Sequence, residues 1–161
     1  MLIVDTNVLV AVLEDDPDWA EWSIGQLRAQ AQVHELAINA IIHAGATPVL
    51  ADIDPETLNI DPDQVRAKLT PRTRALLLVH YAGVACEMDT IMTIAGRHGL
   101  AVVEDNAHGL FGTYKGRQLG TFGALATLSF HDTKNLSCGE GGALMVNDPR
   151  HVERAEIIRE K

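Results

Sequence analysis

Apolar runs that alternate with segments of helical length are the feature that most constrains the fold of this chain. Parallel strands buried on both faces are typically continuous apolar runs, and each needs a crossover connection that is usually a helix. The pattern therefore predicts an α/β domain: a three-layer, mostly parallel sheet with helices on both faces. The apolar runs are RALLLVHY (74–81), LAVVEDNA (100–107), ALATLSFHD (124–132) and GGALMVND (141–148).

Local signals predict where several elements begin and end. The segment that follows Asp61 begins with a proline, which is typical of a helix capped by that aspartate. Gly99 is expected to stop the helix that precedes it. The opening LIV reads as a short buried strand that ends at Asp5, and ELAINAII (35–42) has strand-like character.

Size, charge and cysteine usage exclude several classes of protein. With 161 residues the chain can form one domain with a substantial core, and its net charge of -9 gives no general attraction to nucleic acid. The apolar start carries Asp5 and has no basic leader region, so we expect neither a signal peptide nor a membrane span. Cys86 and Cys138 form no CxxC pair, which is typical of a reducing compartment. We therefore expect a cytoplasmic protein.

Two chemically distinctive residues follow apolar runs. Ligands of parallel sheets bind beyond the carboxyl ends of the strands, and both Asp105 and Lys134 fall at such ends. A lysine held in a pocket can act as a nucleophile, whereas a lone lysine after a strand is usually a solvated surface residue. Asp105 can equally be a turn or helix cap. The residues alone leave these alternatives open.

A pyridoxal 5'-phosphate (PLP) site would give both residues a role. The lysine would form an imine with the cofactor, and a carboxylate must face the pyridine nitrogen to keep it protonated. Asp105 is placed for that role at its strand end. Glu104, its neighbour on an extended backbone, is expected to point to the opposite face of the sheet.

Two stretches carry a resemblance to a known family. VVEDNAHGLFGTYKGRQLGTFG (102–123) and LSFHDTKNLSCGEGGAL (128–144) resemble the DegT/DnrJ/EryC1/StrS sugar aminotransferases, which are PLP-dependent enzymes of fold type I, the aspartate aminotransferase-like fold. The resemblance runs from about Ala44 to Lys161. It implies that residues 43–161 are part of the large domain of such an enzyme.

The resemblance implies a role for each matching residue. Lys134 would be the Schiff-base lysine and Asp105 the partner of the pyridine nitrogen. His108 would lie against the cofactor ring and its phenolic oxygen, and Ser129 would contribute to phosphate binding. Glutamate would be the amino donor and a 4-keto nucleotide sugar, such as a dTDP-sugar, the acceptor. A complete family member would be a homodimer with active sites built from two subunits.

The first forty-two residues resemble a different family. MLIVDTNVLVAVLEDDPDWAEWSIGQLRAQAQVHELAINAII is similar to the start of PIN-domain ribonucleases, a class of bacterial toxin. Asp5 would match the first acid of that family's Mg²⁺ site, with Asn7 behind it. The further acids of that site are missing, so a strand-end cap is the favoured alternative for Asp5. The chain thus reads as a fusion of an incomplete PIN-like segment (1–42) with an aminotransferase core.

Three functional hypotheses follow. The first is PLP-dependent transamination of a nucleotide sugar, although the sequence does not contain the amino-terminal phosphate-binding turn of the family. The second is a catalytically silent α/β domain. The third, a Mg²⁺-dependent ribonuclease, depends on Asp5 and is disfavoured because a single carboxylate does not make such a site.

Overall fold

A computed structural model describes residues 2–5, 41–42 and 44–160, with residues 2–5 described by their backbone alone. Six strands form one sheet in the order β2-β1-β3-β4-β7-β8, and a two-stranded hairpin, β5-β6, lies apart from it. The first five strands of the sheet run parallel, and β8 pairs antiparallel with β7. The strands are β1 Leu2–Asp5, β2 Pro48–Ala51, β3 Ala75–Val79, β4 Ala101–Asp105, β5 Thr113–Tyr114, β6 Arg117–Gln118, β7 Leu125–Ser129 and β8 Gly142–Val146.

The predicted mostly parallel α/β fold is confirmed, as are two of the predicted helix ends. The helices are α1 Pro62–Lys68, α2 Met88–His98 and α3 Val152–Arg159. The Asp61 side chain caps α1 by accepting a hydrogen bond from the backbone nitrogen of Asp63 at 2.8 Å. Gly99 ends α2 in the left-handed conformation, with φ of 62°. None of the helices that the structure describes is long and apolar enough to cross a membrane.

The core lies between the sheet and the layer formed by α1 and α2. Alternate residues of β3 and β4 point into it, as the period of an extended strand requires. The helices contribute Val65 and Ile91, which are fully buried. Removing this apolar surface from water is the main stabilising contribution to the fold. The other core members are Ala51, Ile60, Leu76, Leu78, Cys86, Met88, Ile94, Ala95 and Val102.

Two local predictions near the amino terminus have different outcomes. The strand that ends at Asp5 is confirmed, and it lies between β2 and β3 in the sheet. The strand-like prediction for 35–42 is wrong at Ile41 and Ile42, which are helical. Short apolar runs do not distinguish a strand from a buried helical segment, which explains the error. Residues 35–40 and Asn7 lie outside the described residues.

Two glycines should respond to alanine in opposite directions. A Cβ at Gly123 would lie 2.5 Å from the backbone oxygen of Val102, so Gly123→Ala should lower the free energy of unfolding by about 1–3 kcal/mol. Gly96 lies inside α2 with open space where its Cβ would be, so Gly96→Ala should raise that free energy by about 0.5–1 kcal/mol. Urea denaturation of both variants measures the two effects. Equal effects of the two substitutions on the free energy of unfolding would contradict the close approach of Gly123 to the backbone of Val102.

Candidate functional site

Three loops meet at the carboxyl edge of the sheet. They follow β3, β4 and β7, which are neighbouring parallel strands, and they enclose a cleft of about 260 Å³. This edge is where parallel sheets bind ligands. The cleft is lined by Tyr81, Ala82, His108, Thr133, Lys134 and Asn135.

The loop after β3 forms a 3-10 turn, Tyr81–Gly83, that is held by hydrogen bonds to a buried asparagine side chain. Asn59, which is 2% exposed, accepts a hydrogen bond from the backbone nitrogen of Tyr81 at 3.0 Å and donates one to the backbone oxygen of Val84 at 3.1 Å. Ala82 has φ of 52° and ψ of 21°, a left-handed conformation that costs a residue other than glycine on the order of 1–3 kcal/mol. The anchored turn therefore holds a strained alanine in the wall of the cleft.

Asp105 is the last residue of β4 and lies half-buried at the same edge. Its Oδ1 accepts a hydrogen bond from the backbone nitrogen of Ala107 at 3.1 Å and a weak one from Thr127 Oγ1 at 3.5 Å. Its Oδ2 has no hydrogen bond among the described residues. The described part of the protein thus fixes one carboxylate oxygen and leaves the other without a donor.

Ser129 shares a face of the sheet with Asp105. Asp105 is paired with Thr127 across β4 and β7, and Ser129 lies two residues further along β7. Because residues two apart on a strand point to the same side, the Ser129 hydroxyl and the Asp105 carboxylate lie on one face. Neither residue lines the cleft described above.

Lys134 and His108 are brought together in the cleft although they belong to different loops. Lys134 is half-buried, and its backbone nitrogen donates to the backbone oxygen of His131 at 3.0 Å. The His108 ring packs edge-on against the ring of Tyr81, with 6.1 Å between ring centroids. An amine and an imidazole therefore border the same space. An amine in such a cleft is the nucleophile that imine chemistry requires, and the imidazole is a ring that can contact a bound ligand.

Glu104, one residue before Asp105, lies on the opposite face of the sheet and is fully buried. Its carboxylate accepts a hydrogen bond from His80 Nε2 at 2.9 Å. It also accepts hydrogen bonds from three backbone nitrogens in the loop that leads into β7. These belong to Gly120 at 2.8 Å, Phe122 at 2.7 Å and Gly123 at 2.6 Å. We refer to these four hydrogen bonds as the Glu104 network.

His80 takes part in this network as a neutral donor. Its Nδ1 accepts a hydrogen bond from the backbone nitrogen of Cys86 at 3.2 Å, so the ring hydrogen is on Nε2 and points to Glu104. Burial raises the pKa of Glu104, but hydrogen bonds from His80, Gly123 and Gly120 outweigh it and hold that pKa below its usual value. The backbone nitrogen of His80 also donates to the backbone oxygen of Asp105 at 3.1 Å. The network is thus joined to the strand end that carries Asp105.

Sequence reasoning missed three contributors to this region: Tyr81, Asn135 and the structural role of Glu104. Tyr81 could have been found by applying the strand-end rule to β3 as well as to β4 and β7. Strand alternation already placed the Glu104 carboxylate on the face opposite Asp105, and a buried carboxylate requires donors. No signal in the sequence singled out Asn135.

Among residues 41–42 and 44–160, no group of three or more His, Cys, Asp and Glu side chains could hold an ion. Asp5, the residue that the ribonuclease hypothesis would use, is described only as the end of β1.

Comparisons with known proteins point to one family. The family model of the DegT/DnrJ/EryC1/StrS aminotransferase family matches residues 36–161. The spore coat polysaccharide biosynthesis protein SpsC of Bacillus subtilis is 49% identical over 120 residues, which cover 74% of this chain and 31% of SpsC. The chain thus spans about a third of the length of the curated relatives it matches.

Solved structures agree in fold. DesI, whose structure was determined in the presence of its TDP-sugar product, is 41% identical with a TM-score of 0.72, over 77% of this chain and 32% of DesI. PseC of Helicobacter pylori, an aminotransferase involved in the biosynthesis of pseudoaminic acid, is 25% identical with a TM-score of 0.76, over 98% of this chain and 36% of PseC. The comparison with PseC therefore covers almost the whole chain.

These findings do not support the PIN-like interpretation of residues 1–42. The family match begins at residue 36, upstream of Ala44 where the sequence resemblance begins. The PseC alignment takes in nearly all of the amino-terminal segment, and β1 is a member of the aminotransferase-like sheet. A short apolar strand followed by an acid is a common feature of α/β proteins, so its resemblance to a ribonuclease start was not specific.

Proposed function

Because the chain belongs to the DegT/DnrJ/EryC1/StrS aminotransferase family, whose members depend on PLP, we propose that it is part of a PLP-dependent sugar aminotransferase. The reaction would move an amino group from glutamate to a 4-keto nucleotide sugar. The observation that carries the proposal is the half-buried Lys134 in a cleft shared with His108. The activity is proposed for the whole enzyme, of which this chain spans about a third by comparison with its relatives.

The residues present fit PLP in the chemistry of their donor set. Lys134 offers an amine inside a cleft, and Asp105 offers a carboxylate oxygen without a hydrogen bond among the described residues. Ser129 offers a hydroxyl to the phosphate on the same face as Asp105. His108 offers an imidazole from the cleft wall. When bound, the cofactor would supply an electron-withdrawing ring.

Each of these residues would have a distinct task. Lys134 would hold the cofactor covalently and move a proton at the substrate carbon. The Asp105 carboxylate would keep the pyridine nitrogen protonated, with Oδ2 accepting a hydrogen bond from that nitrogen. Ser129 would orient the phosphate and His108 the ring. The cleft walls would exclude water around the amine.

We propose a dTDP-linked sugar as the acceptor substrate. DesI, 41% identical, was solved with its TDP-sugar product. The segments VHYAGVACEMDTIM (79–92) and RAEIIREK (154–161) resemble those of dTDP-4-amino-4,6-dideoxygalactose transaminases. The whole enzyme would act as a homodimer, as the family resemblance implies.

The proposed function predicts selective modification of one lysine. The full chain is incubated with PLP, reduced with borohydride, digested and analysed by mass spectrometry. We expect the reduced label on Lys134 at several times the occupancy of Lys68 and Lys115, because both of those side chains are exposed and lie outside the cleft. Equal labelling of the three lysines would contradict the proposal and favour a catalytically silent domain.

A further inference from the structure

The side chain of Asn135 joins two of the loops that form the cleft. Its amide nitrogen donates hydrogen bonds to the backbone oxygens of His108 at 3.2 Å and Leu110 at 3.1 Å. Both neighbours are carbonyl oxygens, so only the NH₂ end of the amide can face them. This group carries two hydrogens, and the arrangement uses both. We call this pair of hydrogen bonds the Asn135 tether.

The tether connects residues much further apart in sequence than the other hydrogen bonds of the loop between β7 and β8, residues 130–141, which we call the Lys134 loop. Lys134 bonds to His131, and Cys138 bonds to Phe130, so these contacts stay within the loop. The tether spans 27 and 25 residues of chain and connects the loop after β7 to the loop after β4. The side chains on either side of this connection, Lys134 and His108, line the same cleft.

We propose that Asn135 is a positioning residue. Its amide would hold the Lys134 loop against the loop after β4, residues 106–112, which we call the His108 loop, so that the side chains of Lys134 and His108 border one cleft. Asn135 would act through the backbone of its neighbours rather than on a reacting atom. The role of Lys134 in this inference rests on the proposed function, whereas the contact between the loops does not.

The donor geometry predicts an unusual order of variants. Asn135→Asp keeps the shape of the side chain but directs carboxylate oxygens at two carbonyl oxygens, whereas Asn135→Ala only removes the donors. If only the shape of the side chain mattered, the aspartate variant would keep a higher rate of PLP attachment to Lys134 than the alanine variant. We expect the rate of PLP attachment to Lys134 to fall by roughly fivefold to tenfold in Asn135→Ala, and further in Asn135→Asp.

Asn147 provides a matched control. Its amide nitrogen also donates to two backbone oxygens, those of Gly120 at 2.8 Å and Gly123 at 2.9 Å, and it does not line the cleft. Asn147→Asp therefore makes the same chemical change at a comparable double-donor site. It should destabilise the protein while changing the rate of attachment to Lys134 by less than about twofold. If Asn147→Asp lowered the rate of attachment as much as Asn135→Asp does, the loss would be a general effect of stability and the positioning role of Asn135 would be overturned.

A second measurement does not need PLP. Hydrogen–deuterium exchange of the full chain should become faster at residues 107–112 and 131–140 in Asn135→Asp, and at neither segment in Asn147→Asp. If this pattern appears while the wild-type chain attaches no PLP to Lys134, the tether stands and the proposed function fails. If the wild-type chain attaches PLP and Asn135→Asp matches it in both rate and exchange, the tether is overturned.

Discussion

Replacing Glu104 by alanine is expected to lower the free energy of unfolding by about 3–5 kcal/mol, the largest effect on stability that we predict. The substitution leaves His80 Nε2 and three backbone nitrogens without their acceptor in a buried site. A loss of this size is a large fraction of the stability of a single domain. Urea denaturation followed by circular dichroism measures it.

Two further variants test whether the Glu104 network causes the effect. Glu104→Gln keeps one acceptor oxygen and should lose less stability than Glu104→Ala. Glu140→Ala removes a carboxylate whose side chain is 88% exposed, and it should change the free energy of unfolding by less than about 0.5 kcal/mol. A Glu104→Ala variant as stable as Glu140→Ala would contradict the network.

The same network gives stability a defined pH dependence. The folded state holds the pKa of Glu104 below its usual value of 4.5, so the carboxylate stabilises the fold fully above that value. This contribution is lost as the pH falls through the lower folded-state pKa. The difference in stability between the wild-type chain and Glu104→Gln should therefore shrink as the pH is lowered below about 4.5. A difference that grows on acidification would contradict the sign of the shift.

Lys134→Ala should abolish covalent attachment of PLP within the cleft. The wild-type chain, mixed with PLP, is expected to develop a visible absorbance band that the variant lacks, because Lys134 supplies the cleft amine with which the imine is expected to form. Lys134→Arg should lack the band too, since a guanidinium stays protonated and is not a nucleophile at neutral pH. Absorbance spectroscopy of the purified full chain gives the result directly.

Lys68→Ala is the matched control for this experiment. Lys68 is an exposed lysine in the last turn of α1, and its removal should leave the band unchanged. Unfolding curves of the wild-type chain and the lysine variants should coincide within about 0.5 kcal/mol, which would exclude an indirect effect of misfolding. A band that persists in Lys134→Ala would show that the imine forms on another amine, which would contradict the role proposed for Lys134.

The parts of the fold that follow local rules were predictable from the sequence. Continuous apolar runs predicted the parallel strands, and cap residues such as Asp61 and Gly99 predicted helix ends, because these signals act within a few residues. The edge of the sheet at which a site would form followed from topology alone. Strand alternation also separated Glu104 from Asp105.

The details of the cleft were not predictable because they depend on loop conformation. The left-handed Ala82 is favoured by no local signal, since alanine rarely adopts that conformation. The contact between Asn135 and the His108 loop joins segments about 27 residues apart, and its geometry appears only when both loops are folded. Three of the four donors of the Glu104 network likewise come from a loop that lies 16 to 19 residues after Glu104, and the fourth, His80, lies 24 residues before it.

The end of β4 carries two adjacent acids that the protein treats in opposite ways. The buried Glu104 carboxylate accepts four hydrogen bonds, whereas Oδ2 of Asp105 accepts none among the described residues. Two adjacent side chains of one strand thus differ in how far the described part of the protein satisfies their hydrogen-bonding capacity. Since the two side chains share no hydrogen-bonding atom, the hydrogen bonds that hold Glu104 do not depend on the side chain at position 105.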